Sequence, residues 1–93
     1  MSVAEAARVP IAISPVEWGT DPVRLIHWLV VPGEDVVEGE VLAEVGRPGI
    51  IGDVRATHSG HVLELCQVEA DGVLPGAVLG WIQPLPSEME DAP

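Results

Sequence analysis

The chain contains no lysine, no phenylalanine and no tyrosine, and its basic residues are Arg8, Arg24, Arg47 and Arg55. Against these four arginines stand fifteen acids, giving a formal net charge of −11. Such a surplus repels phosphate backbones and anionic lipid surfaces, so it excludes nucleic-acid binding and opposes membrane binding. The single cysteine, Cys66, excludes an internal disulfide, and no paired-cysteine pattern for zinc is present. No apolar run approaches the roughly 18 residues needed to span a bilayer. Residues 1–10 lack the charged head and apolar run of a secretory leader. A soluble, cytoplasmic protein is expected. With aromatics limited to Trp18, Trp28 and Trp81, the core must be built from valine, leucine, isoleucine and alanine plugged by tryptophan.

What is abundant is turn chemistry. Ten glycines and nine prolines in 93 residues punctuate short apolar runs, the pattern of brief strands joined by tight turns. A chain of this length makes one domain that buries about 60% of its unfolded surface, with room for one small core and no deep cleft. The boundaries expected are a flexible start over 1–9, an ordered domain over 10–83, and a disordered acidic, proline-rich tail over 84–93.

Within the domain, residues 10–13 read as a first strand and 14–22 as a loop carrying Trp18. Residues 23–31 form an extended run that is apolar on both faces: Leu25, His27, Leu29 and Val31 on one, Arg24, Ile26, Trp28 and Val30 on the other. It is therefore a strand covered on both sides or one interrupted by a bulge. Residues 41–45 and 50–55 alternate as strands around the reversal Gly46-Arg47-Pro48-Gly49, a β-hairpin. After a turn at His58-Ser59-Gly60 come strands over 61–67 and 78–83, separated by the turn Glu69-Ala70-Asp71-Gly72.

An offset of 37 residues lays the second half on the first. Val36 meets Val73, Gly39-x-Val41-Leu42 meets Gly76-x-Val78-Leu79, and Val45 meets Ile82. Two copies of one strand-turn-strand unit imply a pseudo-two-fold arrangement in which each covers the apolar face of the other. The first copy's Gly33-Glu34 becomes Ala70-Asp71 in the second. A left-handed backbone there would cost an alanine roughly 1 kcal/mol, so an altered turn is expected.

The spacing G-E-D-V-V-E-G-E-V-L-A-E-V from Gly33, preceded by Trp28-Leu29-Val30-Val31, resembles the first half of lipoyl and biotinyl carrier domains. The resemblance spans 10–83 and implies an all-β barrel-sandwich hybrid of two four-stranded sheets, with pseudo-two-fold symmetry. It also implies that the hairpin presents one lysine, in a D-K-A tripeptide, to which lipoyl or biotin is joined by an amide. Laid without gaps, that tripeptide falls on Pro48, Gly49 and Ile50, so Gly49 stands at the attachment position. No other lysine can substitute, and an arginine guanidinium, protonated at any physiological pH, is a very poor acyl acceptor. No lipoyl or biotinyl cofactor is therefore expected.

Without its cargo point, such a domain reads as a non-catalytic interaction module derived from, or associated with, the acyltransferase component of a 2-oxo acid dehydrogenase complex or a biotin-dependent carboxylase. A component of such a complex is the expected protein partner. The partner-binding residues expected are Arg47, Pro48, Gly49, Ile50 and Arg55 on the hairpin and Trp18 in the loop that the resemblance places beside it. Bland alternatives stand next to these: Trp18 folds back over the barrel mouth, and the tip has drifted, with Pro48 and Gly49 merely keeping it tight.

A second function class is a carrier or catalyst working through Cys66, which on the usual behaviour of a free cysteine otherwise reads as a buried small hydrophobe. The acids Glu34, Asp35, Glu38, Glu40 and Glu44 read as a solvated face, since they lack the ligand periodicity of a calcium loop. His27, His58 and His61 with Cys66 do not share a ligand geometry, so no metal site is expected.

Overall fold

The structure, a computed structural model, describes residues 8–86. The flexible segments expected over 1–9 and 84–93 lie for the most part outside these residues, although Val9 and Pro84 belong to strands. The elements run β1 (Val9–Ala12), α1 (Pro15–Trp18), β2 (Val23–Trp28), β3 (Asp35–Val36), β4 (Val41–Arg47), β5 (Ile50–Arg55), β6 (Gly60–Leu65), β7 (Gly72–Val73) and β8 (Val78–Pro84). They form two four-stranded sheets, ordered β1-β8-β6-β3 and β5-β4-β2-β7, with every pairing antiparallel.

Between the sheets lies one aliphatic core that includes Val23, Leu25, Val36, Leu42, Val45, Val62, Val73, Leu79 and Ile82. Trp18, Trp28, Leu65 and Ala77 pack against it from the margins. Burying each large aliphatic side chain contributes about 1.5–3 kcal/mol. No buried polar or charged residue interrupts this core among the described residues.

The internal repeat is realised strand for strand. An offset of 37 residues carries β2 onto β6, β3 onto β7 and β4 onto β8, and the second sheet's order is the first's with the halves exchanged. The cross-links obey the same symmetry. The Gly33 N–H donates to the Val62 carbonyl at 2.7 Å while that of Ala70 donates to the Leu25 carbonyl at 2.7 Å. Gly39 and Gly76, with φ of 91° and 92°, turn the chain before β4 and β8.

Three features bear on the sequence expectations. First, of the two readings open for the run over 23–31, the interrupted one holds: a bulge between Leu25 and His27 shifts its register on β4, and its repeat mate between Val62 and Glu64 does the same for β6 on β8. The extra residue rotates the remainder of the strand, so Val30 is buried while Leu29 and Val31 are exposed. Second, the same rephasing corrects the burial expected for Cys66, whose side chain is exposed just beyond β6, at the position related by the repeat to exposed Leu29. Third, the turn at Ala70 is not altered. Ala70 takes φ of 78°, the only positive value at a non-glycine among the described residues.

The loop over 14–22 contains the one-turn helix α1, which Pro15 opens at its first position, where a missing N–H costs nothing. The Trp18 and Gly19 N–H groups donate back to the Ser14 and Pro15 carbonyls at 3.0 and 2.8 Å.

Candidate functional site

The β4–β5 hairpin is built to be tight at its end. Arg47 pairs with Ile50 across the two-residue turn Pro48-Gly49. Proline pre-sets the backbone at the first central position and Gly49 supplies φ of 84° at the second, as a type II turn requires. Gly49 is thus at the tip, and a Cβ added there meets nothing within 4 Å. Behind the tip, Ile50 and Ile51 are 58% and 72% exposed, so two large aliphatic side chains of one strand face water.

Trp18 is brought to this hairpin by α1. Its ring lies on Gly52 of β5, where a Cβ would come within 2.7 Å of the ring's Cζ2, so the absence of a side chain at Gly52 makes the seat for the indole. Arg47 fastens the loop from the other side. Its Nη2 donates to the Trp18 carbonyl at 2.6 Å and also to that of Asp21, while Nε donates to the Pro22 carbonyl at 3.1 Å. Its guanidinium carbon sits 5.4 Å from the Trp18 ring centroid, within cation–π range. Trp18 therefore folds back against the barrel and is half-buried, and Arg47 is a strap between hairpin and loop.

Of the residues singled out in the sequence, Trp18, Arg47, Pro48, Gly49 and Ile50 come together at this end. Arg55 does not join them: it closes the far end of β5, donating to the Gly39 carbonyl at 2.9 Å and pairing with Asp53 at 3.3 Å. The acidic residues are spread over turns. Glu34 and Glu40 each accept from a backbone N–H three residues earlier, Val31 at 3.2 Å and Val37 at 3.1 Å, which fastens the turns ahead of β3 and β4. Among the described residues no three His, Cys, Asp or Glu side chains converge as a metal site would require.

On the outer face of the same hairpin lies a groove of about 570 Å³ bordered by Arg24, Ile26, Gly46 and the residues 47–51. Arg24 and Ile26 were not among the expected site residues. Both lie on the outward face of β2, Arg24 before its bulge and Ile26 within it, and alternation alone placed them there without showing that a glycine lies beside Arg24 on β4.

Two curled four-stranded sheets related by a pseudo-two-fold, with a tight β4–β5 hairpin at one end, define a lipoyl-type barrel-sandwich domain. Among solved structures, the lipoyl domain of the 2-oxoglutarate dehydrogenase complex from Azotobacter vinelandii is similar to the chain with a TM-score of 0.58 and 27% sequence identity, over 67% of this chain and 78% of that one. No protein-family model and no curated protein matches the sequence.

Proposed function

We propose that this domain is a lysine-free, lipoyl-like interaction module that docks on a protein partner through the β4–β5 hairpin without carrying lipoyl or biotin. The observation that carries this reading is the tip itself: a lipoyl-type fold whose hairpin ends in Pro48-Gly49, with no lysine amine in the chain to accept an acyl group. Exposed Ile50 and Ile51 give that end an apolar contact of the kind protein partners cover. Arg47 and Trp18 hold the hairpin and the adjoining loop as one surface, so less ordering entropy is lost on docking. The partner class we infer is a component of a 2-oxo acid dehydrogenase complex or of a biotin-dependent carboxylase, by likeness to a domain that serves in such a complex.

The test is affinity capture from the native lysate, comparing the wild type with a variant whose residues 46–52 are replaced by a neutral turn, read by mass spectrometry. Retention of one such complex by the wild type and its loss by the variant is the expected result. Identical capture by both would remove the docking role. Intact mass of the protein isolated from its native cell addresses the second reading, in which the exposed Cys66 thiol is the covalent point. The bare chain mass is expected, whereas an adduct released by reductant or hydroxylamine would move the function to Cys66.

A further inference from the structure

The four arginines are not equivalent. Arg8 lies 4.3 Å from the Trp81 ring centroid and 3.9 Å from Glu64. Arg47 is occupied by three backbone carbonyls, and Arg55 by Asp53 and Gly39. Arg24 alone, although exposed, makes no side-chain ion pair or hydrogen bond among the described residues. On a molecule of net charge −11, an arginine whose side chain has no partner of any kind among the described residues is out of keeping with its surroundings.

The neighbouring strands explain why no carboxylate reaches it. Arg24 pairs with Gly46 on β4 and with Gly72 on β7, so neither neighbouring strand places a side chain directly opposite it. Gly46 in turn pairs with Ile51 on β5. One row across the sheet therefore reads Gly72, Arg24, Gly46, Ile51. With strands about 4.8 Å apart, Arg24 and Ile51 stand about 10 Å apart over a glycine floor. The Ile50 carbonyl oxygen lies 2.6 Å and the Ile26 Cδ1 3.1 Å from where a Gly46 Cβ would be, so Ile26 itself covers that floor and forms the groove's apolar base. The result is an open groove with aliphatic walls and one unpaired cation at its edge.

We propose that this groove receives an extended peptide segment of a protein partner, with one aliphatic side chain seated between Ile26 and Ile51 and a carboxylate two residues away, on the same face of the segment, paired with Arg24. At about 3.3 Å per extended residue, that spacing is about 6.6 Å, which the long Arg24 side chain spans from the neighbouring strand. The rest of the surface is acidic, so the segment's flanks are basic: long-range attraction brings it in, and the single carboxylate fixes its register. A groove this open does not enclose a free small molecule, and the charge of the body opposes lipid and nucleic acid. The inference rests on the docking reading above and names the chemistry of what docks.

The test uses a fluorescent, end-blocked peptide in which a leucine and a glutamate two residues apart are flanked by lysines, titrated against the full chain by anisotropy and by amide chemical shifts. Saturable binding is expected, with the largest shifts at Ile26, Gly46 and Ile51. Arg24→Gln should weaken it about tenfold, and glutamate→glutamine in the peptide should weaken binding to the wild type while having little effect on Arg24→Gln. Arg24 has no side-chain partner within the described residues, so Arg24→Gln keeps the wild-type Tm, and Ile51→Ser gives a second, apolar perturbation of the groove. Absence of binding to the wild type, equal sensitivity to the peptide's glutamate in both proteins, or shifts confined to another face overturns the proposal. Capture of the native complex separates the two levels. If Arg24→Glu captures as the wild type does while the hairpin replacement fails, docking stands and the groove does not; if neither variant loses the complex, the docking reading itself falls.

Discussion

Replacing Ala70 with glycine should stabilise this domain, although it removes a methyl group and touches nothing in the core. Ala70 is exposed and held at φ of 78°, because its N–H must reach the Leu25 carbonyl and the following Asp71 carbonyl must accept from Leu25 N–H. The repeat-related turn makes the same two bonds with Gly33 at φ of 91°. A left-handed conformation costs an L-residue about 1–2 kcal/mol, and glycine gives back about 0.4–1 kcal/mol through the freer unfolded chain. The net gain for Ala70→Gly is about 0.5–1 kcal/mol, or roughly 2–8 °C in Tm for a domain of this size.

Because a Cβ at Gly33 would meet nothing within 4 Å, Gly33→Ala should lose a similar amount for purely conformational reasons. The double exchange should come out near the wild type, since the two turns lie on different strands and share no partner. Urea unfolding followed by tryptophan fluorescence measures all three, with the m-value as the check that only stability has changed. An unchanged or lower midpoint for Ala70→Gly would refute the reasoning. It would mean that the turn has another backbone geometry or that the bond to Leu25 carries no weight.

Gly52→Ala should unseat Trp18, because the new methyl would lie 2.7 Å from the indole Cζ2. A loss of about 1–3 kcal/mol is expected, with Trp18 emission moving toward that of solvated indole and fluorescence quenching by iodide rising. The combined replacement Pro48→Asp, Gly49→Lys, Ile50→Ala restores the attachment tripeptide on the tip. Incubation with a lipoate-protein ligase should then raise the intact mass by one lipoyl group, whereas the wild type stays at its bare mass. Failure of that variant to be modified would show that a ligase reads the tip through surroundings this domain lacks.

The fold was legible because its signal is doubled. Val36 and Val73, Leu42 and Leu79, Val45 and Ile82 recur at one offset, and all six are buried. The apolar residues on both faces of 23–31 left the bulge at Leu25–His27 as one of two readings, whereas its mate at Val62–Glu64 went unread because the strand over 61–67 is not apolar on both faces. Cys66 was expected inside because free cysteines are commonly buried, and it is exposed just beyond the second bulge. At the candidate site, sequence located the tip and the tryptophan but not the task of Arg47, because its acceptors are the main-chain carbonyls of Trp18, Asp21 and Pro22, which every residue possesses. Arg24 was equally hidden: its isolation follows from Gly46 and Gly72 lying on either side of it, a relation that only the strand register discloses.

The strand order also governs the speed at which the chain finds its shape. β4 and β5 meet across two residues, whereas β1 must pair with β8, joining Val9 to Ile82 across nearly the whole described chain. Loop-closure entropy is spent on such distant partners before their contacts return anything, which places the domain among proteins that fold in milliseconds to seconds. Among the described strands, the hairpin alone can pair locally, on the microsecond scale, and present an edge on which β2 can assemble. Pro48 and Gly49 thereby acquire an expected role independent of any cargo or partner: loosening the tip should slow refolding more than it speeds unfolding, the mark of a hairpin that forms early.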